Sequence, residues 1–114
     1  MVETITLREQ RAARNQAMMR EVNEQLEGLA DGAAASREFV CECADPECIE
    51  PIELTSKEYE SVRTRGSTFV IAAGHVYPDV ERVVSKNSRF VVAEKLRSGG
   101  ELARAHDPRA RRRA

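Results

Sequence analysis

Three cysteines fall inside the run Phe39-Val40-Cys41-Glu42-Cys43-Ala44-Asp45-Pro46-Glu47-Cys48. Thiolates this close together are either redox partners or soft ligands for a metal ion. Phe39 and Val40 favour a strand, and strand alternation puts Phe39, Cys41 and Cys43 on one face. Asp45-Pro46 then turns the chain, so that Cys48 comes back towards the other two thiols. A tetrahedral site needs a fourth ligand, and His75 is the candidate. It follows the apolar residues 68–73 and the turn residue Gly74, where a strand end can deliver an imidazole. Cys41, Cys43, Cys48 and His75 together make a Cys3His set suited to Zn2+.

Other thiol chemistries fit less well. A disulfide leaves one of the three cysteines over, and a reducing compartment opposes it. Iron–sulfur clusters ask for four cysteines. A Cys–His nucleophile pair gives no reason for the other two thiols. Zinc deaminases place His-x-Glu before Pro-Cys-x-x-Cys, whereas here the histidine comes last.

The elements that must position these ligands can be read from the pattern between them. Residues 49–54 read as a second strand, with Pro51 suggesting a sheet edge. In Leu54-Thr55-Ser56-Lys57-Glu58-Tyr59, Thr55 caps a helix and Glu58 reaches back to complete a capping box. That helix is expected to run to about Arg65 and stop at Gly66. Residues 68–73 read as a strand. Pro78-Asp79 is expected to open a second short helix, with Val80, Val83 and Val84 at helical spacing. Residues 89–95 close as a strand. The expectation is an α+β domain over residues 37–96 with the order β-β-α-β-α-β. With five aromatic residues and no tryptophan in the chain, its core is thin, and a metal staple is expected to supplement it. Glu42, Asp45, Glu47, Glu50 and Glu53 read as the solvent side of the cysteine hairpin.

Residues 1–36 read as a long helix over 4–30 followed by a small-residue joint at 31–36. A seven-residue register places Met19, Val22, Leu26 and Leu29 along one apolar stripe. Such a stripe can dock on its own domain, on a second copy of the chain, or on another protein. Residues 97–114 contain six arginines against Glu101 and Asp107, a net of +4, which leaves −5 on residues 1–96 of a chain whose total is −1. The segment opens with Ser98-Gly99-Gly100 and is expected to be a disordered basic tail. Arg109, Arg111, Arg112 and Arg113 are its candidates for non-specific nucleic-acid contact, because the acidic body repels phosphates. No run of about 18 apolar residues spans a membrane. The N-terminus lacks the apolar run of a signal peptide, so a cytoplasmic location is expected.

The run from Phe39 to Cys48, with Ile52-Glu53-Leu54-Thr55, Glu58-Tyr59-Glu60-x-Val62-Arg63, Gly74-His75 and Phe90-Val91-Val92-x-Glu94-Lys95, resembles a family of small uncharacterised bacterial proteins of the actinobacterial type. The upstream run Asn15-x-Ala17-x-Met19-Arg20-Glu21-Val22-Asn23-Glu24 is similar to that family's helical N-terminus. The resemblance covers residues 7–95 and excludes the tail. It implies that Cys41, Cys43, Cys48 and His75 act as one unit, and it implies no activity.

The sequence therefore points to a non-enzymatic, zinc-binding regulatory or adaptor protein. Its helix and tail would meet macromolecular partners. The alternative is a thiol-based redox or zinc sensor that releases metal on oxidation. Catalysis is the least supported class, because histidine, the usual acid–base residue at neutral pH, occurs only at His75 and His106, one a ligand candidate and the other in the tail.

Overall fold

The computed structural model describes residues 7–29 and 36–113. Its elements are α1 (Leu7–Gly28), β1 (Ser36–Val40), β2 (Pro51–Thr55), α2 (Ser56–Val62), β3 (Thr68–Ile71), β4 (Glu81–Lys86), β5 (Val91–Lys95), α3 (Arg97–Ala105) and α4 (Pro108–Arg113). Of the joint expected at 31–36, Ser36 instead opens β1, and residues 31–35 lie outside the described residues, as does Ala30.

The α+β class holds, and so does the long first helix. β1 and β2 pair antiparallel with Phe39 opposite Ile52 and Val40 opposite Pro51. α2 starts with the full capping box, Glu58 N donating to Thr55 Oγ1 at 3.1 Å and Thr55 N donating to Glu58 Oε1 at 2.9 Å. A second, three-stranded antiparallel sheet has the order β3-β5-β4. The core joins both sheets: Phe39, Ile52, Leu54, Tyr59, Phe69, Val70, Ile71 and Ala93 are buried. Phe39 and Tyr59 stack with ring centroids 4.7 Å apart.

The expected order β-β-α-β-α-β needs correction, because residues 81–86 form a strand and not a second helix. After Pro78-Asp79 the chain makes one turn, with Val80 N and Glu81 N both donating to Tyr77 O. The adjacent valines then pair along β5, where β-branched side chains fit a sheet better than a helix. A bulge between Val83 and Ser85 leaves Val84 as the extra residue, which mimics helical spacing in the sequence.

The disordered tail is corrected as well. Residues 97–105 and 108–113 are helical, and Ala103 and Asp107 are buried. Gly99 and Gly100 are packing residues here and do not form a linker. A Cβ on Gly100 would sit 2.8 Å from Lys95 O, so only glycine lets the first turn of α3 lie this close to the end of β5. Asp107 receives a hydrogen bond from the buried Arg63, which also donates from Nε to Glu24 Oε1 at 3.1 Å. Burial works to raise the carboxyls of Glu24 and Asp107. The guanidinium groups and hydrogen bonds around them overcome it and hold both below their ordinary values.

The face of α1 that packs on the core is polar and is not the apolar stripe. The helix packs through Asn15, Gln16, Arg20, Asn23 and Glu24, all buried. Of the expected stripe, Met19 and Leu26 are half-buried, whereas Val22 is 39% and Leu29 74% exposed, alongside Leu7 and Met18. Arg20 lies with its guanidinium 4.7 Å from the Phe69 ring centroid, donating to Gly66 O at 2.6 Å and Ala103 O at 2.5 Å. Among the described residues no helix is long and apolar enough to cross a membrane.

Candidate metal centre

The four expected ligands meet. One ligand atom from each of Cys41, Cys43, Cys48 and His75 lies within 4.8 Å of all the others, a constellation compatible with a bound metal ion. β1 ends at Val40, and the next residues extend it into the core, Cys41 N donating to Glu50 O at 2.9 Å and Glu42 N to Val70 O at 2.8 Å. Cys41 and Cys43 thus enter a buried position between β3 and α1. Asp45-Pro46 makes the expected turn: Asp45 Oδ1 accepts from Glu47 N at 2.9 Å, and Asp45 O from Cys48 N at 3.2 Å. That turn brings Cys48 back. His75 leaves β3 through Gly74, whose φ of +86° suits a residue without a side chain.

The imidazole is oriented at both ends. Nδ1 lies 3.7 Å from Cys41 Sγ and 3.5 Å from Cys48 Sγ. Nε2 lies 3.5 Å from Glu50 Oε2. A carboxylate behind a ligating histidine fixes its ring and tautomer, as second partners of metal ligands commonly do. Cys41 Sγ also accepts a hydrogen bond from Ala72 N at 3.2 Å, the kind of N–H···S contact that stabilises a thiolate. Without a cation, burial pushes the Cys41 and Cys43 thiols up from their ordinary range. A bound divalent ion reverses that preference, since it supplies the positive charge that burial makes expensive to omit.

Glu42, between two ligands, is not on the solvent side of the hairpin. It is fully buried, its carboxylate accepting from Val70 N at 3.0 Å, Asn23 Nδ2 at 2.9 Å and Tyr59 Oη at 3.3 Å. Burial raises its pKa above the ordinary carboxyl value, against the pull of Asn23, the Val70 N–H, Arg63 and Arg20. Alternation turns Glu42 to water only where one face of the hairpin is open, whereas Cys41, Glu42 and Cys43 are all buried. The remaining acidic residues of the group, Asp45, Glu47, Glu50 and Glu53, are exposed as expected.

Two features had no sequence signal. One is an open groove of about 910 Å³ between the N-terminal half of α1 (Leu7, Ala12, Met18), the ligand loop (Pro46) and the chain after His75 (Tyr77, Val80). The other is the fate of Arg109. Its guanidinium is held by Glu24 at 2.9 Å and by Glu60 at 2.7 and 2.8 Å, which engages inside the fold a cation expected to be free for phosphates. The side chains of Arg111, Arg112 and Arg113 lie outside the described residues. No protein-family model, curated protein or solved structure matches the chain.

Proposed function

We propose that this is a non-enzymatic zinc-binding protein of regulatory or adaptor type, with Zn2+ held by Cys41, Cys43, Cys48 and His75. The observation that carries it is metric. Zinc–sulfur bonds of about 2.3 Å and zinc–nitrogen bonds of about 2.0–2.1 Å make the S···N edge of a tetrahedron about 3.6 Å. The two edges from His75 Nδ1 are 3.5 and 3.7 Å. Four protein ligands fill the coordination shell and leave no position for a substrate or water, which favours a structural ion over a catalytic one. Three thiolates at one site also suit a reducing, cytoplasmic compartment.

The adaptor half of the proposal draws on α1. Leu7, Met18, Val22 and Leu29 are exposed, Leu7 and Met18 along the groove beside the ligand loop, and they offer apolar surface to a protein partner or a second copy. Nucleic-acid contact through the tail is less favoured, because Arg109 is already paired. Metal analysis of the purified chain tests the central claim. One zinc per chain, lost together with thermal stability in His75→Ala, is expected. Less than about 0.2 zinc per chain in material prepared without chelator defeats it.

A redox-sensing role is the second reading, favoured by one observation: Cys48 is only half-buried, and the His75 side chain is 34% exposed. Peroxide can reach this edge. Two thiolates would pass two electrons to hydrogen peroxide, breaking its O–O bond to give a disulfide and two hydroxide ions, which solvent protonates to water, and leaving the ion with two ligands. Zinc release at low peroxide without denaturant supports a sensor. Release only on unfolding supports a structural ion.

A further inference from the structure

The segment after β1 that carries two of the four ligands is satisfied from behind by one helix. Asn23 of α1 makes a paired, peptide-like contact with Val40: its Nδ2 donates to Val40 O, and its Oδ1 accepts from Val40 N, both at 2.8 Å. Gln16 Nε2 donates to Glu42 O, and Asn15 Nδ2 donates to Cys43 O, both at 3.1 Å. Over Val40–Cys43 the side-chain amides of α1 stand where a neighbouring strand would stand. Asn23 also donates to the Glu42 carboxylate, which grips β3 through Val70 N.

The two partners need each other. Residues 41–50 contain no strand of their own. With an ion bound, Cys41 and Cys43 are fixed by their sulfurs, and the carbonyls facing α1 form a rigid, pre-arranged row. Without it, that row is held mainly by Cys41 N to Glu50 O and Glu42 N to Val70 O, and α1 loses a defined surface to dock on. Conversely, α1 holds the ligand strand in the metal-ready position. The hydrophobic part of α1's attachment is small, since Leu26 is the apolar side chain of this helix that packs against the core cluster. The polar contacts therefore decide whether the helix stays.

We infer that metal occupancy and docking of α1 are thermodynamically coupled, so that loss of the ion loosens the helix at its Asn15, Gln16 and Asn23 contacts on a core that persists. This rests on the metal-site proposal above. The β3–β5 and β5–β4 pairings and the stacked Phe39–Tyr59 pair do not run through the ligand sulfurs, which is why the loosening is local. Linkage requires reciprocity: whatever factor the ion contributes to helix docking, the docked helix contributes to metal affinity.

The test uses the full chain and Zn2+ in competition with a chromophoric chelator, comparing wild type with Asn23→Ala, the milder Asn15→Ala, and Gln25→Ala at an exposed position of α1 as control. The expected result is one zinc per chain in all four. Affinity should fall about tenfold in Asn23→Ala, less in Asn15→Ala, and stay unchanged in Gln25→Ala, within the range typical of site-to-site coupling. Hydrogen exchange should show α1 amides losing protection on chelation while β3 and β5 keep theirs. Equal affinity in wild type and both amide variants, with one zinc bound, overturns the coupling and leaves the metal site standing. So does uniform loss of protection across α1, β3 and β5. Absence of zinc from the wild-type chain overturns both.

Discussion

Arg63→Met removes the cation that ties the C-terminal segment to the body of the fold. The Arg63 side chain is fully buried, and the carboxylates of Glu24 and Asp107 beside it are 3% and 4% exposed. Glu24 keeps Arg109 at 2.9 Å, so the cost falls chiefly on Asp107, left as a desolvated charge with backbone donors and the more distant Arg20. Removing one partner of a buried pair costs about 3–5 kcal/mol. For a chain of this size, about 4 °C of Tm accompanies each kcal/mol, so a fall of roughly 12–20 °C is expected. Thermal unfolding followed by circular dichroism in zinc-replete buffer measures it. The companion variant Arg63→Met with Asp107→Leu removes the stranded charge as well and should recover part of the loss, since apolar groups replace buried ion pairs at little cost. A fall under about 4 °C, the size of a surface ion pair, would refute the reasoning. It would mean that residues 97–113 do not seal this network against water.

Further expectations concern the glycines, the cap and acid. Gly100→Ala should destabilise by about 1–3 kcal/mol, because its methyl group meets backbone at Lys95. Gly28→Ala, with nothing within 4 Å, should be neutral or stabilising by up to about 1 kcal/mol; chemical denaturation of the two variants distinguishes them. Thr55→Ala removes the side-chain half of the α2 capping box and should cost about 1 kcal/mol by the same assay. The Arg109 hydrogen bond holds the Glu60 carboxyl down at about 2. A depressed carboxyl stabilises above its unfolded value and loses that contribution as pH falls. The Tm gap between wild type and Glu60→Gln should therefore be widest above about pH 4.5 and close towards pH 2. A gap independent of pH would show that the pair contributes nothing through charge.

What could be read from the sequence was whatever depends on near neighbours. The capping box is a four-residue pattern and formed as read. The cysteine turn is set by Asp45-Pro46, and His75 by the end of an apolar strand, so the ligand set needed only local chemistry plus one long-range guess. The docked face of α1 failed for a specific reason: its amides recognise the carbonyls of the cysteine strand, and hydropathy does not register a buried asparagine that completes a sheet edge. Glu42 failed with it, because its burial follows from that helix lying on top. The tail failed because arginines were counted as solvated charges, whereas Asp107 and Arg109 find their partners on α1 and α2, up to 85 residues away in the chain.

Those last contacts impose an order on folding. Arg20 donates to Ala103 O and Glu24 accepts from Arg109, separations of 83 and 85 residues. The ligand loop and both sheets precede Ala103 and Arg109 in the chain, so during synthesis the contacts of α1 are completed after them. During that interval Arg20 lacks its Ala103 acceptor and Arg63 lacks Asp107. Emergence of residues 103–109, rather than completion of the metal ligands, is the event that closes the fold.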